Sequence, residues 1–295
     1  MSVNQTPTFP DYRLLDSGEG EKLESWSGYV TRRPEPQAVW RKSLSEKQWR
    51  DAADASFLRE ERSEERGEWK IKHKAPTPHI ITYNYKEMKL RMRIGLTSFK
   101  HVGIFPEQAA NWNFIFDSCK ELQKTQTEPV KILNLFAYTG GATLAARSAG
   151  AQVTHVDSVK QVVTWAKENM ELSGLRDIRW IVEDAVKFVE REVRRGNKYH
   201  GIILDPPAYG RGANGERWIL EESITPLLEL CAQLLDGKGS FLIMSLYSMG
   251  LSQTIARTTF RSAVATPSQE SSGELYFADD NGKELPLGTY YRATL

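Results

Sequence analysis

The sequence predicts an α/β protein with a mostly parallel sheet, preceded by a smaller β-rich region. From residue 130 onwards, short β-branched runs alternate five times with longer amphipathic segments, a pattern typical of parallel strands covered by helices. Residues 274–278 and 289–294 are two further β-rich runs around an Asp-Asp-Asn-Gly turn, which indicates a closing antiparallel hairpin. Five strands and this hairpin make a sheet of seven strands.

The individual elements follow from the same alternation. Predicted strands cover residues 130–138, 152–157, 178–182, 199–204 and 240–246. Predicted helices cover residues 142–148, 159–172, 185–195, 218–235 and 251–264. Glycines at positions 150, 174 and 196 stand where the first three helices end, as expected for C-terminal caps.

The chain divides into three predicted segments. Residues 1–105 are interpreted as a small β-rich domain available for substrate docking, because prolines punctuate short strands there, such as 80–85 and 89–94. Residues 106–129 form a connecting helix and a polar linker. Residues 130–295 form the α/β domain.

Composition excludes several classes of protein. With 40% hydrophobic and 26% charged residues, the chain is neither disordered nor fibrous. The longest nearly uncharged apolar stretch, 239–251, is shorter than the roughly 20 residues that span a bilayer, and the first residues lack signal-peptide features. The only cysteines, Cys119 and Cys231, lack zinc-ligand spacing. We therefore expect a cytoplasmic protein that is metal-free and does not associate with membranes.

The ends of the predicted strands contain the candidate ligand-binding residues, because ligands of doubly wound sheets bind there. The first strand runs into a segment with two glycines that permit a sharp turn: Asn134, Phe136, Tyr138, Thr139, Gly140 and Gly141. Asp157 ends the second strand and is placed to bind the hydroxyls of a ribose. Asp184 ends the third and is placed to bind the amino group of adenine. Capping of the following helix is the alternative for each acid.

The glycine segment does not match the Gly-x-Gly-x-x-Gly fingerprint of pyrophosphate-containing cofactors. A nucleoside ligand without a pyrophosphate fits better. S-adenosyl-L-methionine is such a ligand, since it combines adenine, ribose and an amino-acid tail.

A stiff acidic loop follows the fourth strand. It consists of Asp205, Pro206, Pro207, Ala208 and Tyr209, where the two prolines remove backbone donors and fix φ. Asp205 or a loop carbonyl can bond a nitrogen of a planar base while Tyr209 stacks on it. The alternative is a proline-rich loop with a packed tyrosine.

These motifs together resemble the class I S-adenosylmethionine-dependent methyltransferases, over residues 88–295. Within them the chain is most similar to the bacterial branch that methylates 23S ribosomal RNA, which shares the segment 103–108, Gly-Ile-Phe-Pro-Glu-Gln. The resemblance implies a Rossmann-like fold. It places Phe105 and Gln108 among the cofactor-binding residues, Gly140 and Gly141 at the methionine end, and residues 205–207 at the reacting methyl.

The chain departs from that branch at two places. Cytosine-C5 members have a nucleophilic cysteine where this sequence has Tyr247, and Cys231 lies in a leucine-rich helix that indicates burial. Two arginines common in the Gln108 segment are replaced by Ala109 and Trp112, which leaves its RNA contacts in question. We therefore expect direct methyl transfer to a base nitrogen rather than to carbon 5.

RNA, ribosomal RNA above all, is the predicted substrate. Residues 69–101 contain eight Lys or Arg and one acid, with aromatic residues interleaved, although the whole chain carries a net charge of only +1. The segment is interpreted either as an RNA-docking face or as a solvated β-ribbon. A protein or small-molecule methyltransferase and a non-catalytic binding module remain alternatives, and homo-oligomerisation stays open.

Overall fold

The computed structural model describes residues 3–60, 65–211, 215, 217–247, 252–264 and 266–295. The helices are α1 (Glu46–Ala52), α2 (Ala109–Thr125), α3 (Gly141–Ser148), α4 (Lys160–Leu172), α5 (Ala185–Arg194), α6 (Leu220–Leu234) and α7 (Gln253–Ala263). A single 3₁₀ turn, Pro106–Gln108, precedes α2. Among these helices, none is both long enough and apolar enough to cross a bilayer.

The larger sheet has seven strands. They are β8 (Lys131–Leu135), β9 (Gln152–Asp157), β10 (Ile178–Val182), β11 (Gly201–Leu204), β14 (Phe241–Leu246), β15 (Gln269–Ala278) and β16 (Glu284–Thr294). Their order is β10-β9-β8-β11-β14-β16-β15. The first five strands are parallel to one another, and β16 pairs antiparallel with both β14 and β15. The predicted seven-stranded, mostly parallel sheet with a C-terminal hairpin is confirmed.

The central strands are mostly apolar because helices cover both faces of the sheet. Every residue of β11 and β14 is buried. Gly201 is needed at its position, since a Cβ there would lie 2.4 Å from the Phe241 ring. Close packing of this kind holds the carboxyl ends of β8 and β11 side by side.

The N-terminal region is β-rich, as expected. Its strands β1 (Tyr12–Gly18), β2 (Glu21–Trp26), β3 (Tyr29–Pro34), β4 (Ala55–Arg59) and β5 (Gly67–Ile71) form one sheet in that order. A separate hairpin pairs β6 (His79–Tyr85) with β7 (Met88–Ile94) and lies against α3 and α4. The basic segment 69–101 is therefore shared between a strand of the sheet and this hairpin.

One hydrophobic core joins the N-terminal region to the larger sheet. The Phe9 and Tyr83 rings lie 4.9 Å apart, and the Tyr12 and Phe277 rings 4.7 Å apart. The start of the chain also pairs with β15, where the Val3 N–H donates to the Ser272 carbonyl at 2.8 Å. Side chains from the N-terminal sheet can therefore reach the ends of the parallel strands.

Several predicted boundaries were wrong; the two strands of the closing hairpin, for example, begin at Gln269 and Glu284 rather than at residues 274 and 289. The first strand ends at Leu135 rather than at residue 138, because Phe136 turns to a φ of 55°. The helix predicted over 218–235 begins at Leu220, because β13 (Arg217–Ile219) pairs with β12 (Tyr209–Arg211) in a short hairpin. The last helix begins at Gln253, and residue 251 lies outside the described residues.

Candidate active site

A cavity opens to solvent where β8, β11 and β14 end. It brings together most of the residues that the sequence singles out. The predicted site residues that line it are Phe105, Gln108, Asn134, Phe136, Tyr138, Thr139, Gly140, Gly141 and Asp205. The lining does not include Asp157, Asp184, Pro206, Pro207 or Tyr209.

The loop after β8 has a strained backbone. Phe136, Tyr138 and Gly140 have φ values of 55°, 48° and 92°, in the left-handed region that non-glycine residues seldom adopt. Two contacts hold the loop: the Thr139 hydroxyl donates to the Gly103 carbonyl, and the Asn169 amide donates to the Thr139 carbonyl at 3.0 Å. Strain of this kind persists where the surroundings fix it, which is typical of ligand sites.

Gly141 begins α3 directly beneath an aromatic ring. A Cβ at this position would lie 2.4 Å from Cζ2 of Trp112, so any side chain would displace the indole. Gly140 is needed for its φ, and a Cβ there would also come within 3.2 Å of the Ala166 side chain. Gly140 is therefore required by the backbone conformation of the turn, and Gly141 by its close contact with Trp112.

Asn134 supports the loop from below through a buried hydrogen-bond chain. Its amide donates to the Thr143 hydroxyl at 2.9 Å, and that hydroxyl lies 2.9 Å from Nδ1 of His155. Burial lowers the pKa of His155 to about 3, so the imidazole is neutral at physiological pH. This histidine is a structural group rather than an acid or base.

Asp157 connects the ends of β9 and β8. One carboxylate oxygen accepts from the Tyr138 N–H and the other from the Val159 N–H, both at 2.9 Å. Burial raises the pKa of this carboxyl group, against the effect of the two N–H donors. Each oxygen keeps a lone pair for a further donor, so the residue fits a ribose although it lies just outside the cavity lining.

Asp184 is the N-cap of α5. Its carboxylate accepts from the Lys187 N–H at 3.0 Å, so the capping role is confirmed. The strand ends that carry Asp157 and Asp184 are joined, since the Glu183 N–H donates to the Asp157 carbonyl at 3.1 Å. Contact of Asp184 with an adenine remains a prediction.

Asp205 follows β11 and points into the cavity. Burial raises the pKa of its carboxyl group to about 7. Pro206 is buried, and the Pro207 carbonyl accepts from the Trp218 indole N–H at 2.7 Å. Because the Trp218 ring also lies 4.9 Å from the Phe136 ring, the acidic loop and the loop after β8 are fixed relative to each other.

Tyr209 lies further from the cavity. It is the first residue of β12, and 54% of its surface is exposed. The structure therefore places Asp205, and not Tyr209, in the cavity. Stacking of this ring on a substrate base remains a prediction for an exposed position beside the site.

Several charged residues beside Asp205 were not found from the sequence. Glu107 is 5% exposed, and burial raises the pKa of its carboxyl to about 7 against the opposing charges of Lys22 and Arg33, with Asp205 adding to the rise. The Tyr247 hydroxyl donates to Glu35, whose other oxygen lies 3.1 Å from Lys22 Nζ. No periodicity or spacing marks these residues, which come from β2, from β3 and the residue after it, from the 3₁₀ turn before α2, and from the segment after β14.

Asn111, Trp112 and Ser245 also line the cavity and were not predicted. A usable signal exists for Asn111, because it follows Gln108 by three residues at the start of a helix and therefore lies on the same face.

Cys119 and Cys231 are both fully buried, which confirms the interpretation of Cys231 as a core residue. In the part of the chain that the structure describes, no cluster of His, Cys, Asp or Glu could hold a metal ion.

The basic segment is less uniform than its sequence suggests. Lys86 pairs with Asp117, Arg93 with Glu168, and the buried Lys100 with Glu65. Tyr83 is buried in the core. Lys86 is exposed despite its ion pair, and the other exposed basic side chains are Lys70, Lys72, Lys74, Lys89 and Arg91.

The fold and the site together define an α/β protein that binds a nucleoside-like ligand at the ends of its parallel strands. A family model described as Conserved hypothetical protein 95 matches residues 100–223. A crystal structure of the SAM-dependent methyltransferase from Agrobacterium tumefaciens is 36% identical, with a TM-score of 0.86, and the match covers 99% of this chain and 93% of that one. The chain belongs to the S-adenosylmethionine-dependent methyltransferases.

Two further similarities are narrower. A SAM-dependent methyltransferase structure from Streptococcus mutans has a TM-score of 0.70 over 98% of this chain and 76% of that one, at 14% identity, and so shares the fold. The ribosomal RNA large subunit methyltransferase K/L of Shewanella frigidimarina is 28% identical over 167 residues, which are 55% of this chain and 22% of the relative. The chain thus matches about a fifth of that relative's length.

Proposed function

We propose that this protein transfers a methyl group from S-adenosylmethionine to a nitrogen of a base in RNA, with ribosomal RNA as the favoured substrate. The observation that carries the proposal is Asp205: a carboxyl group with a pKa of about 7 lines the same cavity as the strained glycine loop. A methyl acceptor held there lies beside a group that can take its proton.

The residues present fit the cofactor. The cavity is lined by backbone and aromatic groups of the loop after β8, and Asp157 offers a carboxylate suited to ribose hydroxyls. When bound, S-adenosylmethionine supplies a methyl on a sulfonium, so the bond from methyl to acceptor nitrogen forms as the bond from methyl to sulfur breaks. Phe105, Gln108, Asn134, Phe136, Tyr138, Thr139, Gly140, Gly141, Asp157 and Asp184 are the proposed cofactor-binding residues.

Nitrogen is favoured over carbon 5 by the available nucleophiles. Carbon-5 methylation of a pyrimidine needs a thiolate that adds to the ring. The sequence has two cysteines, and burial raises the pKa of the Cys119 thiol to about 12 and that of Cys231 further still. Tyr247 is engaged with Glu35, and burial and that carboxylate raise the pKa of its hydroxyl well above the ordinary value. A nitrogen lone pair needs only alignment and a proton acceptor.

An RNA substrate is supported by the relative from Shewanella frigidimarina, a ribosomal RNA methyltransferase, and by exposed basic residues near the site. Lys70, Lys72 and Lys74 are exposed at the end of β5 and just beyond it. That strand is linked to the cavity, because the Trp69 indole donates to the Phe99 carbonyl and the chain continues to His101, whose ring lies 5.0 Å from Phe105. The strand with the exposed lysines and the cavity lining are thus connected through residues 99–105.

The test is transfer of labelled methyl from S-adenosylmethionine to total RNA and to total protein, each taken from cells that lack the enzyme. We expect label in one RNA species and an N-methylated base after digestion to nucleosides. Asp205→Asn serves as the inactive control. Label in protein alone would favour a protein methyltransferase, and 5-methylcytosine would contradict the argument from Tyr247.

A further inference from the structure

Arg292 is a buried cation beside the cavity residue Asn111. It lies on β16, is 5% exposed, and forms no ion pair with any carboxylate of the described residues. Its guanidinium instead lies 4.2 Å from the Tyr290 ring centre and 5.2 Å from that of Phe114. Buried charges are usually paired, so an unpaired one beside a ligand cavity needs an explanation.

The guanidinium donates two hydrogen bonds, to Oδ1 of Asn111 at 2.8 Å and to Oε1 of Gln5 at 3.0 Å. Because arginine can only donate, the side-chain carbonyl of Asn111 must face Arg292. The amide nitrogen of Asn111 then faces the cavity. It donates to Oε1 of Gln108 at 2.8 Å and to the Ser245 hydroxyl at 3.0 Å.

This arrangement also fixes the amide of Gln108. Its carbonyl oxygen accepts from both Asn111 and Ser245, the latter at 3.2 Å, and so is fully engaged. Its amide nitrogen has no partner among the residues that the structure describes, and Gln108 lines the cavity. Gln108 therefore offers an N–H donor to a ligand. The chain of hydrogen bonds that begins at Arg292 excludes the flipped orientation, in which Gln108 would offer its carbonyl oxygen.

An N–H donor backed by an unneutralised buried cation suits an anionic oxygen. We propose that Arg292 is a positioning residue that, through Asn111, turns the Gln108 amide so that it donates to the carboxylate of the methionine tail of the cofactor. The inference rests on the proposed function. Its place in the fold agrees, since Trp112, next to Asn111, packs on Gly141 at the expected methionine end.

The positive charge behind the Gln108 segment comes from β16, 181 residues away from Asn111 along the chain.

The experiment compares two ligands by calorimetry: S-adenosylhomocysteine, which has the carboxylate, and 5′-methylthioadenosine, which lacks the amino-acid tail. For Arg292→Met we expect at least a tenfold loss of affinity for S-adenosylhomocysteine and less than a twofold change for methylthioadenosine. Arg292→Lys should recover part of the loss, because it restores a buried cation. Arg194→Met, at an exposed position on α5, is the matched control and should change neither affinity.

Gln108→Glu covers the case in which Arg292→Met does not fold. It keeps the shape of the side chain and removes the donor, so it should show the same selective loss. Equal losses for both ligands, or unchanged affinity for S-adenosylhomocysteine, would overturn the proposal while leaving the cofactor assignment intact. If the unaltered protein bound neither ligand, the proposed function itself would fail.

Discussion

The two sides of the cavity are built differently. The cofactor side is centred on a single run of chain, from Asn134 to Gly141, which is held by backbone strain and close packing and has no charged side chain. On the acceptor side, Asp205 lines the cavity, and its charge acts on Glu107, which with Glu35 and Tyr247 forms a cluster from distant parts of the chain outside the lining. The acceptor side therefore concentrates carboxyl groups.

The difference has a physical reason. A nucleoside is recognised by shape and by a few fixed donors and acceptors, which a rigid loop supplies. Proton transfer needs a carboxyl group whose pKa is near neutrality, and burial achieves this at Asp205. Such an environment requires several chain segments to converge, and the N-terminal sheet supplies part of it.

The largest expected effect separates the two sides. Asp205→Asn should reduce single-turnover methyl transfer by about 10² to 10⁴, the range that general acid-base groups contribute. Its affinity for S-adenosylhomocysteine should change less than threefold. The measurement pairs rapid-quench kinetics with calorimetry, and Asp51→Asn, at an exposed position on α1, is the control. Comparable losses in both quantities would show that the two sides are not separable.

The converse change is Gly141→Ala. The added Cβ must displace Trp112, so the affinity for S-adenosylhomocysteine should fall at least tenfold and the protein should lose about 1 to 3 kcal/mol of stability. Gly196→Ala is the control: its φ is 65°, nothing lies within 4 Å of the added Cβ, and strain alone should cost about 1 kcal/mol. Equal affinities for the two variants would refute the packing argument.

The pH dependence sharpens the contrast. The deprotonated Asp205 accepts the proton, so the transfer rate should rise with pH and level off above about 7. The linked effect on stability has the opposite sign, because a carboxyl with a raised pKa contributes stability at low pH that is lost as pH rises through the folded-state pKa. Asp205→Asn should therefore be more stable than the native protein at pH 8, by on the order of 2 kcal/mol, and similar at pH 4. Urea denaturation at pH 4 and pH 8 measures both stabilities. A native protein more stable than Asp205→Asn at pH 8 would contradict the prediction.

A smaller effect is expected at Tyr247. Tyr247→Phe removes the hydrogen bond to Glu35 but leaves Lys22 beside that carboxylate. We expect a three- to tenfold rise in KM for the RNA substrate, a stability loss of about 1 kcal/mol and unchanged affinity for the cofactor. Tyr276→Phe, on β15, is the control. If Tyr247→Phe lost affinity for the cofactor, the assignment of this ring to the acceptor side would be contradicted.

The smallest expected effect concerns the exposed lysines 70, 72 and 74. Replacing all three with alanine should reduce the slope of log affinity for RNA against log salt by about 2, because each phosphate contact releases counterions. Lys160, Lys167 and Lys238, exposed outside the basic segment, provide the matched triple variant. Filter binding at several salt concentrations measures both, and equal slopes would remove these lysines from the RNA-docking face.

The cofactor side could be predicted from the sequence because its signals are local. A buried strand, two glycines and an acid at the next strand end define it within residues 134–157, and the structure brings most of these residues to one cavity. The acidic loop after β11 was predicted for the same reason. Tyr209 was predicted from the same loop, but the short β12–β13 hairpin places it outside the cavity lining.

The acceptor side could not be predicted in this way, and neither could the chain of hydrogen bonds from Arg292 through Asn111 to Gln108. Arg292 stands in a strand and Glu35 directly follows one, and the hydrophobic pattern of these strands says nothing about a site. Their importance comes from tertiary contacts with Tyr247 and Asn111 that span 212 and 181 residues of the chain. Asn111 alone offered a local signal, its helical spacing from Gln108.

A crystal structure of the protein with S-adenosylhomocysteine bound tests the central claim most directly. We predict that the ligand fills the cavity, with its ribose hydroxyls at Asp157, its carboxylate at the Gln108 amide and its sulfur facing Asp205. A ligand bound elsewhere, or in the reverse orientation with its sulfur turned away from Asp205, would contradict the division into a cofactor side and an acceptor side.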